Sequence, residues 1–361
     1  MQLEDMILVS VDDHVVEPPD MWEGVLSAEW KAKAPKLVHK PDDTDVWVFN
    51  GQQIPNVGLN AVSGRPPEEY GMEPTALSQL RKGHYDVDER VRDMNAAGIL
   101  GSMCFSSVPG FCGQLFARQD DKTLARVMTQ AYNDWHIDGW CGAHPGRFIP
   151  LALPMLWDPK LMGEEVRRVA KKGCYAVTFP DNPVGLGFPS LHNDYWDPFW
   201  KACAEEGVIV AIHIGSGTGM NFSEPEAPVE IMIASTPISL FSCATEWVFS
   251  NVLRKYPDLR IALSEGGIGW VPYFLERVDY VYEHHHKWTH QDFGGKLPSD
   301  VFRKHFVTCF IDDAVVLVED GRIAAIGRAD DVAVPEGVEL FDVRPAWIMP
   351  GMIDLHTHVA G

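Results

Sequence analysis

Asp12 and His14 stand two residues apart in "ILVSVDDH" (7–14), an apolar run of strand character. Side chains alternate faces along a strand, so this carboxylate and this imidazole point the same way. An oxygen and a nitrogen donor offered together suit Zn²⁺, Mn²⁺ or Fe²⁺. Taken alone, the pair is equally a helix-capping aspartate beside a satisfied core histidine. His213 changes that balance. It closes the almost wholly apolar run "VIVAIH" and is followed at once by the glycine-rich "IGSGTG", and that run offers it no partner in sequence. The spacing therefore predicts a metal pocket made of Asp12, His14 and His213, with Glu17 orienting the first-strand ligands from behind.

Glu265 ends the next apolar run, in "IALSEGGIGW", beside glycines that leave room for a ligand. A carboxylate there can bind a metal, act as a general base, or serve as an acid of raised pKa. Its plainer role is to face the dipole of a helix starting near Trp270. The proton-transfer role is the expectation here. Gly215, Gly217 and Gly219 suggest a dinucleotide-binding turn, but "MNFSEPEAP" follows them, where Pro225 and Pro228 oppose the helix such a turn needs. His284, His285 and His286 are consecutive on a helical pattern, cannot face one another, and are taken as a solvated helix end.

These residues need a scaffold that brings strand ends together. From about residue 85 short apolar runs alternate with helical periods, the pattern of βαβ units and a parallel sheet. Seven barrel-type strands are expected: at 7–14, "ILGSMCFSS", "RFIPLALPM", "CYAVTFP", "VIVAIHIGSG", "LRIALSEGG" and "FVTCFID". A helix leads into each after the first, including a long helical region at 228–255. "DVWVFNGQQIP" (45–55) is an inserted hairpin around Asn50-Gly51. In a barrel of this kind, active sites lie at the C-terminal ends of the strands.

An eighth helix–strand pair does not follow. Two β runs around a Glu-Asp-Gly turn come after Asp312-Asp313, then "VELFDV" and the terminal "PGMIDLHTHVAG" with its His356 and His358. Between Ala314 and Ala346 there is no histidine or tryptophan and a single aromatic, Phe341, which places a seam near 312–314. The expected division is 1–313, a metal-dependent barrel, and 314–361, a β-rich appendage. The last strand can alternatively fill the eighth position, aiming His356 or His358 at the mouth.

The chain has 361 residues, enough for one barrel with insertions. A net charge of −21 with no basic stripe argues against nucleic acid and anionic membranes. No single apolar run nears the roughly 18 residues of a membrane span, and no signal peptide is visible. Seven unpatterned cysteines read as reduced thiols of a cytoplasmic protein.

"SVDDHVVEPPDMW", "DYWDPFWKACAEEGVIVAIHIGSG" and "SEGGIGWVPYFLERVDY" resemble the amidohydrolase-related group that includes aminocarboxymuconate-semialdehyde decarboxylase and resorcylate decarboxylases, over about residues 5–313. The resemblance implies an α/β fold, a TIM-like (β/α) barrel, here incomplete or irregularly closed. It implies Asp12, His14 and His213 as ligands of one divalent metal, most readily zinc, with manganese or iron as alternatives. It places Glu265 where the decarboxylases have an active-site histidine. The family's aspartate after strand eight has no counterpart. Residues 314–361, with "LVEDGRIAAIG" and "MPGMIDLHTH", resemble instead the opening of an imidazolonepropionase-like enzyme, so the chain reads as a junction of two amidohydrolase fragments. The implied activity is hydrolysis or non-oxidative decarboxylation of a small carboxylate, lactone or amide; the alternative is a non-catalytic fusion remnant. A small molecule is the expected partner, and a homo-oligomer is open.

Overall fold

The structure is a computed structural model that describes residues 8–55, 61–71, 75–219, 224, 226–309, 315–319 and 322–327. It opens with β1 (Leu8–Val15) and α1 (Ala28–Lys33), then β2 (Lys36–His39), β3 (Asp45–Phe49) and β4 (Gln52–Ile54). Phe49 pairs with Gln52 across the turn that Asn50-Gly51 predicts, and the two turn residues have φ of 47° and 78°. Positive φ at both is what a two-residue type I′ turn requires. β2 adds a third antiparallel strand that the sequence pattern does not reveal.

The repeating part follows as α2 (Val87–Ala96), β5 (Ile99–Ser106), α3 (Gln114–Ala117) and α4 (Lys122–Asp134), the last continuing as a π-helix over Trp135–Cys141. Next come α5 (Pro159–Ala170), β6 (Ala176–Thr178), α6 (Asp197–Glu206) and β7 (Ile209–His213). The helical region at 228–255 resolves into α7 (Val229–Ser235), α8 (Ile238–Phe249) and α9 (Val252–Lys255), before β8 (Ile261–Ser264). α10 (Val271–Thr289), α11 (Pro298–His305) and β9 (Phe306–Thr308) complete the series. Aspartates start three of the helices. Asp86, Asp121 and Asp158 each accept two backbone N–H groups of the first turn, which satisfies donors that a helix start leaves open.

β1 pairs in parallel with β5, and β6, β7, β8 and β9 form a parallel sheet in that order. The expected third strand, "RFIPLALPM", is reduced to two parallel bridges, Ser102 to Phe148 and Ala152 to Val177. Pro150 and Pro154 interrupt it, since proline cannot donate to a ladder. The bridges still carry the parallel order from β5 to β6. Among the described residues no strand pairs with the outer edges of β1 and β9, although the Ser264 hydroxyl of β8 donates to the Val11 carbonyl of β1 at 3.2 Å. β7 is almost wholly buried. Behind it, Trp200 is packed among Phe179, Phe199, Trp196 and Trp247, with ring centroids 4.8–6.3 Å from its own.

The "AVVLVEDGRIAAIG" hairpin is present as β10 (Val315–Glu319) and β11 (Arg322–Gly327), antiparallel with Glu319 opposite Arg322. The terminal segment with His356 and His358 lies outside the described residues. One reading needs correction. α7 and α8 together, Val229–Phe249, are long and apolar enough by length and composition to cross a membrane, which inspection of uninterrupted apolar runs overlooks. In this fold a turn at Thr236-Pro237 separates them, and α8 buries Leu240, Cys243, Ala244, Trp247 and Val248.

Candidate metal centre

The site begins with an irregularity in β1. Ser10 lies opposite Ser102, yet Asp13 lies opposite Cys104, so three residues of β1 are matched by two of β5. Such a bulge bends the strand and re-aims its side chains. Asp13 faces away from the centre, accepts a hydrogen bond from the Ser102 hydroxyl and pairs with Arg90 at 3.8 Å. Asp12 and His14 face the centre, where His213 meets them from the end of β7.

Three groups approach the Nε2 of His213: His14 Nε2 at 3.1 Å, Asp12 Oδ1 at 3.7 Å and Glu265 Oε2 at 2.9 Å. One donor atom from each of Asp12, His14 and His213 lies within 4.8 Å of the others, and all three residues are buried. Metal–ligand bonds of about 2.1 Å at tetrahedral angles hold neighbouring donors about 3.4 Å apart. The observed 3.1 and 3.7 Å bracket that spacing. Asp12 Oδ1 is also a buried oxygen with no hydrogen-bond partner, which a cation would supply. One carboxylate and two imidazoles aimed at a common point therefore fit a divalent metal.

Apolar rings form the walls. The Phe111 ring centroid is 4.0 Å from that of His213 and 5.1 Å from that of His14, and Phe105 is 5.0 Å from His213. In this dry setting burial pushes the Asp12 carboxyl above its ordinary range, with Glu265 and Asp13 adding to the push. Burial also opposes charge on His213, but the Glu265 and Asp12 carboxylates hold its imidazolium above the usual histidine range. A bound cation reverses both tendencies, since it favours carboxylate and neutral imidazole.

Glu265 follows β8 with a φ of 63°, a left-handed conformation that costs a non-glycine residue about 1–3 kcal/mol. Its backbone N–H donates to Cys309 Sγ at 3.3 Å, and the same thiol lies 4.0 Å from Asp12 Oδ2. Gly266 beside it has no room for a Cβ, which would stand 2.4 Å from Leu240. Glu17 is not where the sequence reading puts it. Its Oε1 accepts from Ser107 N–H and the Tyr132 hydroxyl and its Oε2 from Val108 N–H, so it braces the loop after β5 rather than Asp12 or His14. His284 and His285 are exposed on α10, as expected of a solvated helix end.

Two contributors escaped the sequence reading. Arg90 is fully buried and donates to the His14 carbonyl at 2.6 Å and the Gly83 carbonyl at 2.6 Å. Asp181 is buried just beyond β6. The strand-end rule that selects Asp12, His213 and Glu265 would have selected Asp181 as well.

The Amidohydrolase family model matches this chain over residues 74–316, a stretch that includes His213 and Glu265. The chain belongs to the amidohydrolase family. A solved amidohydrolase of Mycobacterium avium subsp. paratuberculosis K-10 superposes with a TM-score of 0.63, at 19% identity over 85% of this chain and 84% of that one. The 5-carboxyvanillate decarboxylase LigW2 of Novosphingobium aromaticivorans, solved with bound manganese, gives 0.55 at 18% identity over 85% and 80%. A 2,6-dihydroxybenzoate decarboxylase from Rhizobium gives 0.51 at 17% over 84% and 79%. At these identities the likeness is one of fold, the TIM-like barrel. Curated relatives match only briefly: an imidazolonepropionase of Shewanella halifaxensis is 42% identical over 53 residues, 14% of this chain and 12% of that protein. The chain thus spans about an eighth of the length of such relatives.

Proposed function

We propose that this amidohydrolase is a metal-dependent hydrolase or non-oxidative decarboxylase of small carboxylate, lactone or amide substrates. Asp12, His14 and His213 hold one divalent cation, and Glu265 moves the proton. The carrying observation is the convergence of three buried donors on one point at the C-terminal ends of β1 and β7. Bound there, the cation would polarise a substrate oxygen or activate water.

The residues of the chain supply the rest. Glu265 Oε2, 2.9 Å from His213 Nε2, stands within reach of any atom held at that point, and its side chain is 17% exposed where those of Asp12 and His213 are at 2% or less. It alone of these groups can exchange a proton with solvent directly. Its strained backbone supports a functional role, since such strain concentrates at active sites. Phe105 and Phe111 exclude water around the imidazoles. Zinc is the first choice for this donor set, and the manganese of the LigW2 structure makes that ion the second. The remnant alternative is not favoured, because the ligand-type side chains remain assembled.

Elemental analysis of purified protein, with a turnover screen on aromatic carboxylates and lactones, tests this. Stoichiometric metal is expected, and evolution of CO₂ separates decarboxylation from hydrolysis. Glu265→Gln should abolish turnover with metal content unchanged, because the amide keeps the shape but cannot ionise. Metal lost with Glu265→Gln would make that residue a ligand instead. Activity at the wild-type level would leave it a structural role only.

A further inference from the structure

The glycine-rich segment after His213 is organised around a residue outside it. Four donors of that loop converge on a single buried carboxylate, Asp181. Gly217 N–H and Thr218 N–H donate to Oδ1 at 2.5 and 3.0 Å, while Gly215 N–H and the Thr218 hydroxyl donate to Oδ2 at 3.2 and 2.7 Å. A ring of backbone N–H groups of this kind is a concavity for anions. Here the anion comes from the chain itself, supplied from just beyond the neighbouring strand β6. The loop wraps tightly because glycines stand where the chain approaches its neighbours closest. A Cβ on Gly217 would stand 2.2 Å from the Asn182 carbonyl, and Gly215 has a φ of 65°.

The same cluster reaches the metal-ligand strand. Asp181 N–H donates to the Ser216 hydroxyl at 3.0 Å, and that hydroxyl donates to the His213 carbonyl at 2.7 Å. The Ser216 carbonyl in turn accepts from Gln114 Nε2 at 2.8 Å, three residues beyond the Phe111 ring that covers His213. His213 is thereby fixed from its own backbone, with the wall over its ring tied to the same serine.

We propose that Asp181, whose carboxylate clamps the 215–218 backbone that carries Ser216 and the Ile214–Gly215 peptide partnering His213 Nδ1, is a positioning residue for His213, setting where Nε2 points and so how tightly the cation is held. This rests on the three-ligand reading of the site. Outer partners of a metal ligand typically change metal affinity about 10- to 100-fold when mutated. The test is the equilibrium affinity for Zn²⁺ and Mn²⁺, by competition with a chelator, on the full chain. Asp181→Asn should weaken binding about 10- to 100-fold, and Ser216→Ala should weaken it in the same direction.

Glu165→Gln is the control. Glu165 is a buried carboxylate of similar connectivity, bonded to Gln130, Asn133 and Arg168 away from the site. Its loss should lower stability and leave metal affinity as it was. Wild-type affinity in Asp181→Asn overturns the proposal, as does an equal loss in Glu165→Gln. Should Asp181→Asn not fold, Ser216→Ala decides by the same criterion. His213→Ala separates the two levels: metal retained in that variant refutes the ligand reading itself, whereas metal lost there but kept in the Asp181 and Ser216 variants refutes only the positioning role.

Discussion

Glu17 is a carboxylate sealed from solvent, and its position makes the fold sensitive to pH. Burial raises its pKa from an ordinary 4.5 to about 7, against the pull of the donors on Ser107, Val108 and Tyr132. A group whose folded pKa is raised contributes stability that is complete below the unfolded value and is lost as pH climbs through the folded one. Across pH 4.5 to 7 this residue therefore makes the protein progressively less stable. Glu17→Gln has no such ionisation, so its melting temperature relative to wild type should rise steadily over that window. Parallel melting curves at pH 5, 6 and 7 would show that Glu17 carries no such linkage. Residue type and spacing made Asp12, His14, His213 and Glu265 legible in the sequence, because each ends or nearly ends an apolar run. The target of Glu17 was not legible: its partners lie 90 to 115 residues downstream, and no local pattern encodes that distance.

Between elements, the placement of β1 depends on α2. Arg90 reaches from that helix to the His14 carbonyl and sits 3.8 Å from Asp13, both side chains at 1% exposure or less. The bulge in β1 sends Asp13 to this pair and frees Asp12 and His14 for the centre. Removing one member of a buried pair leaves an uncompensated charge, at a cost of about 3–5 kcal/mol. Arg90→Met should lower the unfolding free energy by that order in urea titration, and Asp13→Asn added to it should recover a large part. A loss below about 1 kcal/mol would mean that the pair behaves like a surface contact. Helices and strands were readable from periodicity and the hairpin from the Asn50-Gly51 turn, whereas the capping aspartates Asp86, Asp121 and Asp158 went unused. The bulge was not readable, since it arises from a mismatch between two strands about 90 residues apart. The third strand was overestimated because its apolar pattern persists through Pro150 and Pro154, whose missing donors no hydrophobic count registers.

At the scale of the molecule, the open question is what the segment after residue 313 does for the barrel. β1 pairs only with β5 and β9 only with β8 among the described residues, and β10 and β11 pair with each other alone. The family match ends at residue 316, close to the compositional break near 312–314. On these grounds 314–361 is proposed to be a unit separate from the metal-dependent barrel at 1–313. The contrary arrangement puts "WIMPGMIDLHTH" in the eighth position, where pairing would satisfy two strand edges and bring His356 or His358 toward the cation. The two arrangements differ in what holds the metal. A separate tail predicts that His356→Ala combined with His358→Ala leaves metal stoichiometry, affinity and turnover at wild-type values. An eighth-strand donor predicts weaker metal binding in the same double variant, of the size expected when a coordinating imidazole is lost in His213→Ala. The Asp12, His14 and His213 donors already meet with spacings suited to a cation, so the expected outcome is no change.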